Sequence, residues 1–234
     1  MGSNNWIRRK TLTDFKIDLP YPSTKVLGKI HQWCEPNGAR HTDNQHGFRT
    51  ADFATKDHTQ PLVLAFGDSH TWGAGNHDED IWPELLKDKI HINQIFNLAQ
   101  GGVSSDYIVR IMPQCLDYFK PDYVFVLWAD HSRFEYKTDD RYQQCLPTSS
   151  NRIYFMEQAT DEWLMENFNK QVSTAESLCR ERNIPLFGMT LYDLIPIIDY
   201  ADRWPRALNG THYNREWHNV VADLFTEKFY NAKA

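Results

Sequence analysis

Pro61-Leu62-Val63-Leu64-Ala65-Phe66-Gly67-Asp68-Ser69-His70-Thr71-Trp72-Gly73 is the stretch whose reading decides the fold. The apolar run Leu62 to Phe66 is too short for a helix and reads as a strand buried on both faces. It stops abruptly at Gly-Asp-Ser, and an amphipathic segment follows. A tight strand-to-helix connection of this kind lifts the Ser69 hydroxyl to the carboxyl edge of a parallel sheet, where open α/β folds place their ligands. Two readings stand side by side here. Ser69 is a candidate nucleophile, outside the Gly-x-Ser-x-Gly pattern of nucleophile elbows; or Asp68 and Ser69 simply cap a helix.

Outward from this stretch the chain alternates. A helix is expected over 81–90, with Pro83 in its first turn, then a strand over 94–98 leading into Ala99-Gln100-Gly101-Gly102. A helix over 105–119 carries Pro113 and is expected to kink or split there. The Tyr123 to Trp128 run is a third covered strand. A long irregular section spans 131–160, a length that usually marks function. A helix over 161–182 puts Leu164, Phe168, Val172, Ala175 and Cys179 on one stripe. A fourth strand covers 185–191, and a last helix 215–229. The order βαβαβαβ implies an α/β fold, a parallel sheet of four to five strands with helices on both faces. Residues 1–57 are loop-rich and are expected to wrap over the core formed by 58–234. In that extension Arg49 either reaches back to a carboxylate near the sheet edge or, as is usual for an arginine, is solvated; the second is the expectation from residue statistics.

Composition narrows the partners. The 234 residues carry 25 Lys plus Arg against 31 Asp plus Glu, a net charge of −6. That balance argues against a nucleic-acid backbone as partner, which needs a basic face. No stretch approaches the length of a membrane span, and residues 1–10 lack the apolar core of a signal peptide. The expected setting is therefore cytoplasmic or virion-associated, with no membrane partner. Cys34, Cys115, Cys145 and Cys179 form no Cys-x-x-Cys pair and fit a reducing compartment. The ten histidines lack the spacing of helix-borne metal ligands, so no metal and no cofactor is expected.

Three loops converge at the carboxyl edge of such a sheet: after Ser69, at Gly101-Gly102, and over 129–133. The segment before the last helix brings His212. Acyl transfer to a serine needs a base at the hydroxyl and donors at the developing oxyanion. Gly102, lacking a Cβ, suits close approach of a backbone N–H to a ligand.

These phrases resemble the SGNH/GDSL hydrolase superfamily. Gly67-Asp68-Ser69 with Gly73 is similar to its first block, Asn97-Leu98-Ala99-Gln100-Gly101-Gly102 to its second, and Asn209-Gly210-Thr211-His212 to its last. The upstream Asn44…Gly47-Phe48-Arg49 and downstream Trp82-Pro83 are similar to phrases of a branch that includes bacterial and phage proteins. The resemblance spans about residues 44–229. It implies a flavodoxin-like three-layer α/β/α sandwich and a serine esterase cleaving small acyl groups, acetyl above all, from a small-molecule or glycan ester. Ser69 would be the nucleophile, His212 the base, and the Ser69 and Gly102 N–H groups the oxyanion hole. Trp72, Trp128 and Trp204 would stand near the mouth, and Trp72, Asp130 and Arg133 are candidate substrate contacts. A glycan-binding module that kept the scaffold, and an acyltransferase using the same acyl-enzyme, are the alternatives.

Two departures from the family pattern bear on activity. The third block, normally Gly-x-Asn-Asp, reads Trp128-Ala129-Asp130-His131, so His131 stands where the oxyanion-donating asparagine belongs. Farther along, Arg133 and Glu135 are expected to pair and brace the loop. In the last block Asn209 replaces the aspartate that orients the base. An amide oxygen can accept from the imidazole Nδ1–H but brings no charge. Either Asn209 serves, or the site is a Ser69–His212 dyad, or Asp193, Asp199 or Asp202 folds back to the histidine.

Overall fold

The computed structural model describes residues 30–35, 37–137, 142–146, 159–194 and 206–233. Its centre is a sheet of four parallel strands, β3 (Leu62–Gly67), β4 (Gln94–Asn97), β5 (Tyr123–Trp128) and β8 (Leu186–Thr190). Their spatial order is β4-β3-β5-β8, so the chain winds one way from β3 to β4 and the other way from β3 to β5. This is the flavodoxin-like order, and the switch point between β3 and β5 is where such sheets open a crevice.

The period-two alternation of the strands sorts their side chains into two layers. Leu62, Leu64, Phe66, Val124, Val126 and Trp128 face α3 (Ser105–Phe119) and α4 (Asp161–Arg180). Val63, Ala65, Phe125, Leu127, Phe187 and Met189 face α2 (Trp82–Ile90) and α5 (Arg215–Asn231). Three layers result. Helix α3 is not split: it runs on through Pro113. The proline stands on the helix's half-exposed side, where water can satisfy the carbonyl that loses its amide partner.

Two antiparallel hairpins sit outside the sheet. One, β1 (His31–Cys34) with β2 (Arg40–Asp43), belongs to the extension and turns through Asn37-Gly38. The other, β6 (Phe134–Lys137) with β7 (Tyr142–Cys145), lies inside the section read as irregular. Residues 48–53 plug the core with Phe48 and Phe53, each at most 3% exposed. Arg49 is not solvated but buried at 2%. Its guanidinium donates to Asp78 Oδ1 at 2.8 Å and to the carbonyls of Trp72, Gly73 and Asn76 at 3.1, 2.7 and 2.8 Å. A loop that turns three carbonyls toward the guanidinium thus supplies what water would otherwise give the cation. Among the described residues no helix is long and apolar enough to cross a membrane.

Candidate active site

Strand β3 ends at Gly67 because nothing larger fits. A Cβ there would lie 2.0 Å from Thr71 Oγ1 and 2.8 Å from the Leu127 carbonyl oxygen. The chain turns at once into α1 (Ser69–Trp72), with Asp68 as its N-cap, accepting from the His70 N–H at 2.9 Å. Both sequence readings of Gly-Asp-Ser therefore meet in one turn: Asp68 caps, and Ser69 is displayed at the switch point.

His212 arrives from the far end of the chain. Its Nε2 lies 3.0 Å from Ser69 Oγ, 143 residues away in sequence. The turn that carries it is tied down at four points. The Arg206–Tyr213 bridge and the Ala207 N–H on the His212 carbonyl close the turn on itself. The Leu208 N–H donates to the Gly75 carbonyl, and the Asn76 carboxamide donates to the Tyr213 carbonyl at 2.9 Å. The histidine is half-buried, and burial together with the nearby His70 and Arg133 charges holds its pKa below the usual 6.5. The imidazole is thus held in the neutral form that a base requires.

Asn209 does stand at His212, but with the opposite polarity from that expected. Its Oδ1 accepts from the backbone N–H groups of Thr211 and His212 at 3.1 and 3.0 Å. This fixes the amide so that Nδ2 faces His212 Nδ1 at 2.9 Å. An amide nitrogen donates, so Nδ1 accepts and the imidazole proton is placed on Nε2, toward Ser69. The carboxamide cannot swing aside easily. It packs so closely on Gly75 that a Cβ there would lie 2.5 Å from Asn209 Cγ. The Thr211 hydroxyl, 3.1 Å from Nδ1, is the other group at that nitrogen. Asp193 instead closes a turn after β8, accepting from the Thr190 N–H at 2.7 Å. Asp199 and Asp202 lie outside the described residues.

Behind the serine is a charged array that the sequence did not reveal. Asp68, 1% exposed, is held by Arg133 Nη1 at 2.7 Å and lies 3.2 Å from His70 Nδ1. Burial alone would raise the Asp68 carboxyl; the His70 charge and hydrogen bonds, with Arg133, overcome it and hold the group down to about 2. The His70 ring stands 5.4 Å from that of His212 and 5.5 Å from that of Trp217. The available signal was local: a Gly-Asp-Ser-Leu phrase has an apolar residue after the serine, and here it is histidine. The expected Arg133–Glu135 pair does not form. Arg133 sits in a turn, its N–H on the Asp130 carbonyl, which sends it back to the sheet end. Glu135, in β6, takes two hydrogen bonds from Arg110 at 2.6 and 2.9 Å instead.

The oxyanion donors divide. Ser69 opens α1, where the first amides of a helix have no intrahelical acceptor, and Gly102 sits in the turn after β4 with φ of +74°. Neither N–H has a hydrogen-bond partner among the described residues. Asn97 clamps that loop to the nucleophile turn by donating to the Thr71 carbonyl at 2.9 Å. His131 Nδ1 is 3.3 Å from the Tyr192 hydroxyl, which itself donates to Asp130 at 2.8 Å. Asp130 also accepts from the Ser132 N–H and hydroxyl, so its carboxylate braces the loop.

Of the aromatic residues, Trp128 is buried in the core at 3%. Trp72 packs edge-on to His41 with its centroid 4.9 Å away, under the extension. Trp204 lies outside the described residues. Among the described residues, Tyr192 presents an exposed ring beside Asp130 and His131. Cys115, Cys145 and Cys179 are buried thiols. Among the described residues no three His, Cys, Asp or Glu side chains group as metal ligands do.

The chain is similar, at low identity, to several solved structures. They include a lipase/acylhydrolase from Enterococcus faecalis, at 16% identity and a TM-score of 0.43 over 74% of this chain and 96% of that one. A psychrotrophic esterase from Pseudoalteromonas sp., inhibited by monoethylphosphonate, matches at 14% and 0.39 over 73% and 94%. A GDSL-like lipase from Bacteroides thetaiotaomicron matches at 12% and 0.41 over 77% and 93%. No protein-family model and no curated protein sequence matches the chain.

Proposed function

We propose that the protein is a serine esterase acting on small acyl esters. The observation that carries this reading is the 3.0 Å approach of His212 Nε2 to Ser69 Oγ at the switch point of the sheet. In the reaction, His212 takes the hydroxyl proton as Ser69 Oγ bonds to the ester carbonyl carbon. The oxyanion is received by the Ser69 and Gly102 N–H groups. The alcohol leaves with the proton from His212, and water, activated by the same imidazole, releases the acid. His131 adds a donor only when its ring leaves Tyr192. Acetyl esters of carbohydrates are the first class to test, with the exposed Tyr192 ring as a surface on which a sugar face can rest.

A second reading rests on Asn209. With Nδ1 accepting, Nε2 carries the proton and cannot take one from Ser69, so the resting site is impaired as a catalyst. The productive tautomer requires Nδ1–H to find an acceptor, and the Thr211 hydroxyl is the group placed to be one. The test is hydrolysis of p-nitrophenyl acetate by the wild type and by Ser69→Ala. The esterase reading expects slow turnover that vanishes in the variant. Equal rates in both would remove it and leave a binding module on this scaffold.

A further inference from the structure

Resting on that reading, we propose that Asn209 is a self-modification site: its deamidation to aspartate supplies the missing carboxylate and switches the esterase on. The chain contains two Asn-Gly dipeptides, Asn37-Gly38 and Asn209-Gly210. Asparagine before glycine is the pair most prone to imide closure, because no side chain shields the following amide. The two sites share a turn geometry. In each, the glycine N–H donates to the carbonyl three residues back, on Glu35 or Ala207, at 2.8 Å, and the glycine φ is positive.

They differ at the carboxamide. The Asn209 oxygen sits on two backbone N–H groups, those of Thr211 and His212, which stabilise negative charge building there. Its nitrogen donates to His212 Nδ1 at 2.9 Å in the resting tautomer; in the Nδ1–H tautomer that the esterase cycle requires, the same atom can hand a proton to departing ammonia. The Asn37 oxygen takes one N–H, from Ala39, and its nitrogen donates to the Glu35 carboxylate, which when ionised offers no proton. Asn209 is thus provided with an oxyanion hole of its own, and with a general acid when the imidazole proton shifts to Nδ1.

The step balances without redox chemistry. The Gly210 amide nitrogen, losing its proton and its hold on the Ala207 carbonyl, bonds to Asn209 Cγ. The Cγ–Nδ2 bond breaks and ammonia leaves, carrying that proton. Water then opens the five-membered imide. Opening at the side-chain carbonyl restores the peptide bond and leaves aspartate at 209; opening at the main-chain carbonyl leaves isoaspartate. The aspartate carboxylate would accept both backbone N–H bonds and the Nδ1–H of His212 together, which moves the imidazole proton off Nε2. Isoaspartate adds a methylene to the turn and misplaces the group.

The test ages the purified full-length protein at mildly alkaline pH, follows both Asn-Gly peptides by mass spectrometry with fragmentation that separates aspartate from isoaspartate, and assays p-nitrophenyl acetate turnover alongside. Expected are faster conversion at Asn209 than at Asn37, slowing at Asn209 alone in His212→Ala, and turnover that climbs with the aspartyl-209 fraction toward the rate of Asn209→Asp. Asn209→Gln, whose longer side chain closes no five-membered imide, should gain nothing. An Asn209 that persists while Asn37 converts would overturn the proposal, as would aspartate formed at 209 with no gain in turnover. A fluorophosphonate adduct on Ser69 of Asn209→Asp keeps the two ideas apart. With the adduct present and Asn209 inert, only the self-modification fails; with no adduct in any form, the esterase reading fails.

Discussion

The Asn209 carboxamide turns its nitrogen toward His212 Nδ1, at 2.9 Å, because its oxygen is already committed to two backbone N–H groups. A carboxylate at that position would accept from all three. Asn209→Asp is therefore expected to raise kcat. In a serine protease the reverse change costs about 10⁴ in kcat through the wrong tautomer, which sets the ceiling. Thr211→Val, which removes the remaining acceptor at Nδ1, should lower kcat in the wild type and have little effect in Asn209→Asp. Steady-state kinetics of the four proteins in this cycle decide it, and additive effects would contradict the arrangement.

The acid limb of kcat/KM should report His212. Its pKa lies below 6.5, chiefly through burial and then through His70 and Arg133, so activity should persist into mildly acidic solution. Protonation removes the base, so the rate falls as pH drops through that pKa. His70→Gln deletes a charge that lowers it and should move the limb to higher pH. Asn209→Asp adds an opposite charge and should move it the same way. A limb that stays put in both variants would place the titrating group elsewhere.

Arg49 ties the extension to the loop that supports the site. Its three carbonyl partners, Trp72, Gly73 and Asn76, flank the Gly75 surface on which Asn209 rests. Arg49→Met leaves those carbonyls and Asp78 without their cation and is expected to cost on the order of 3 kcal/mol, at the low end for a broken buried pair because Asp78 is partly exposed. Arg49→Lys should recover little, since an ammonium cannot reproduce the fork. Denaturant unfolding monitored by tryptophan fluorescence measures both.

His218 makes the fold acid-sensitive. It is 1% exposed, accepts from the Trp82 N–H at 3.2 Å, and burial, with the His70, Arg49 and His212 charges, lowers its pKa to about 3. The unfolded chain takes up this proton near 6.5 and the native one near 3, so the unfolded state binds more protons between those values. Stability then falls as pH drops through that window, by up to about 1.4 kcal/mol per pH unit. His218→Asn should be less stable at neutral pH but flatter with pH. Unfolding midpoints across the window check the slope.

The fold was legible because its signals are local. Short apolar runs between amphipathic helices give the layers, and Gly67-Asp68-Ser69 marks the edge where ligands gather. The pairing of Ser69 with His212, and the position of Asn209 beside it, followed from the resemblance of three phrases. What escaped was set by how turns aim long side chains. Arg133 reaches Asp68 instead of Glu135 because a turn precedes β6. Arg49 is buried because a distant loop offers it three carbonyls. The polarity of Asn209 depends on two amides that only the folded turn positions. Trp128, expected at the mouth, alternates into the core with Val124 and Val126.

The most direct measurement is covalent labelling of Ser69. The wild type and Asn209→Asp, treated with a fluorophosphonate and digested, should yield a single modified peptide carrying the adduct on Ser69. His212→Ala should lose it, since the hydroxyl then has no base within reach. An adduct that forms equally well without His212, or none on Ser69 in either protein, would contradict the claim that these two side chains work as one.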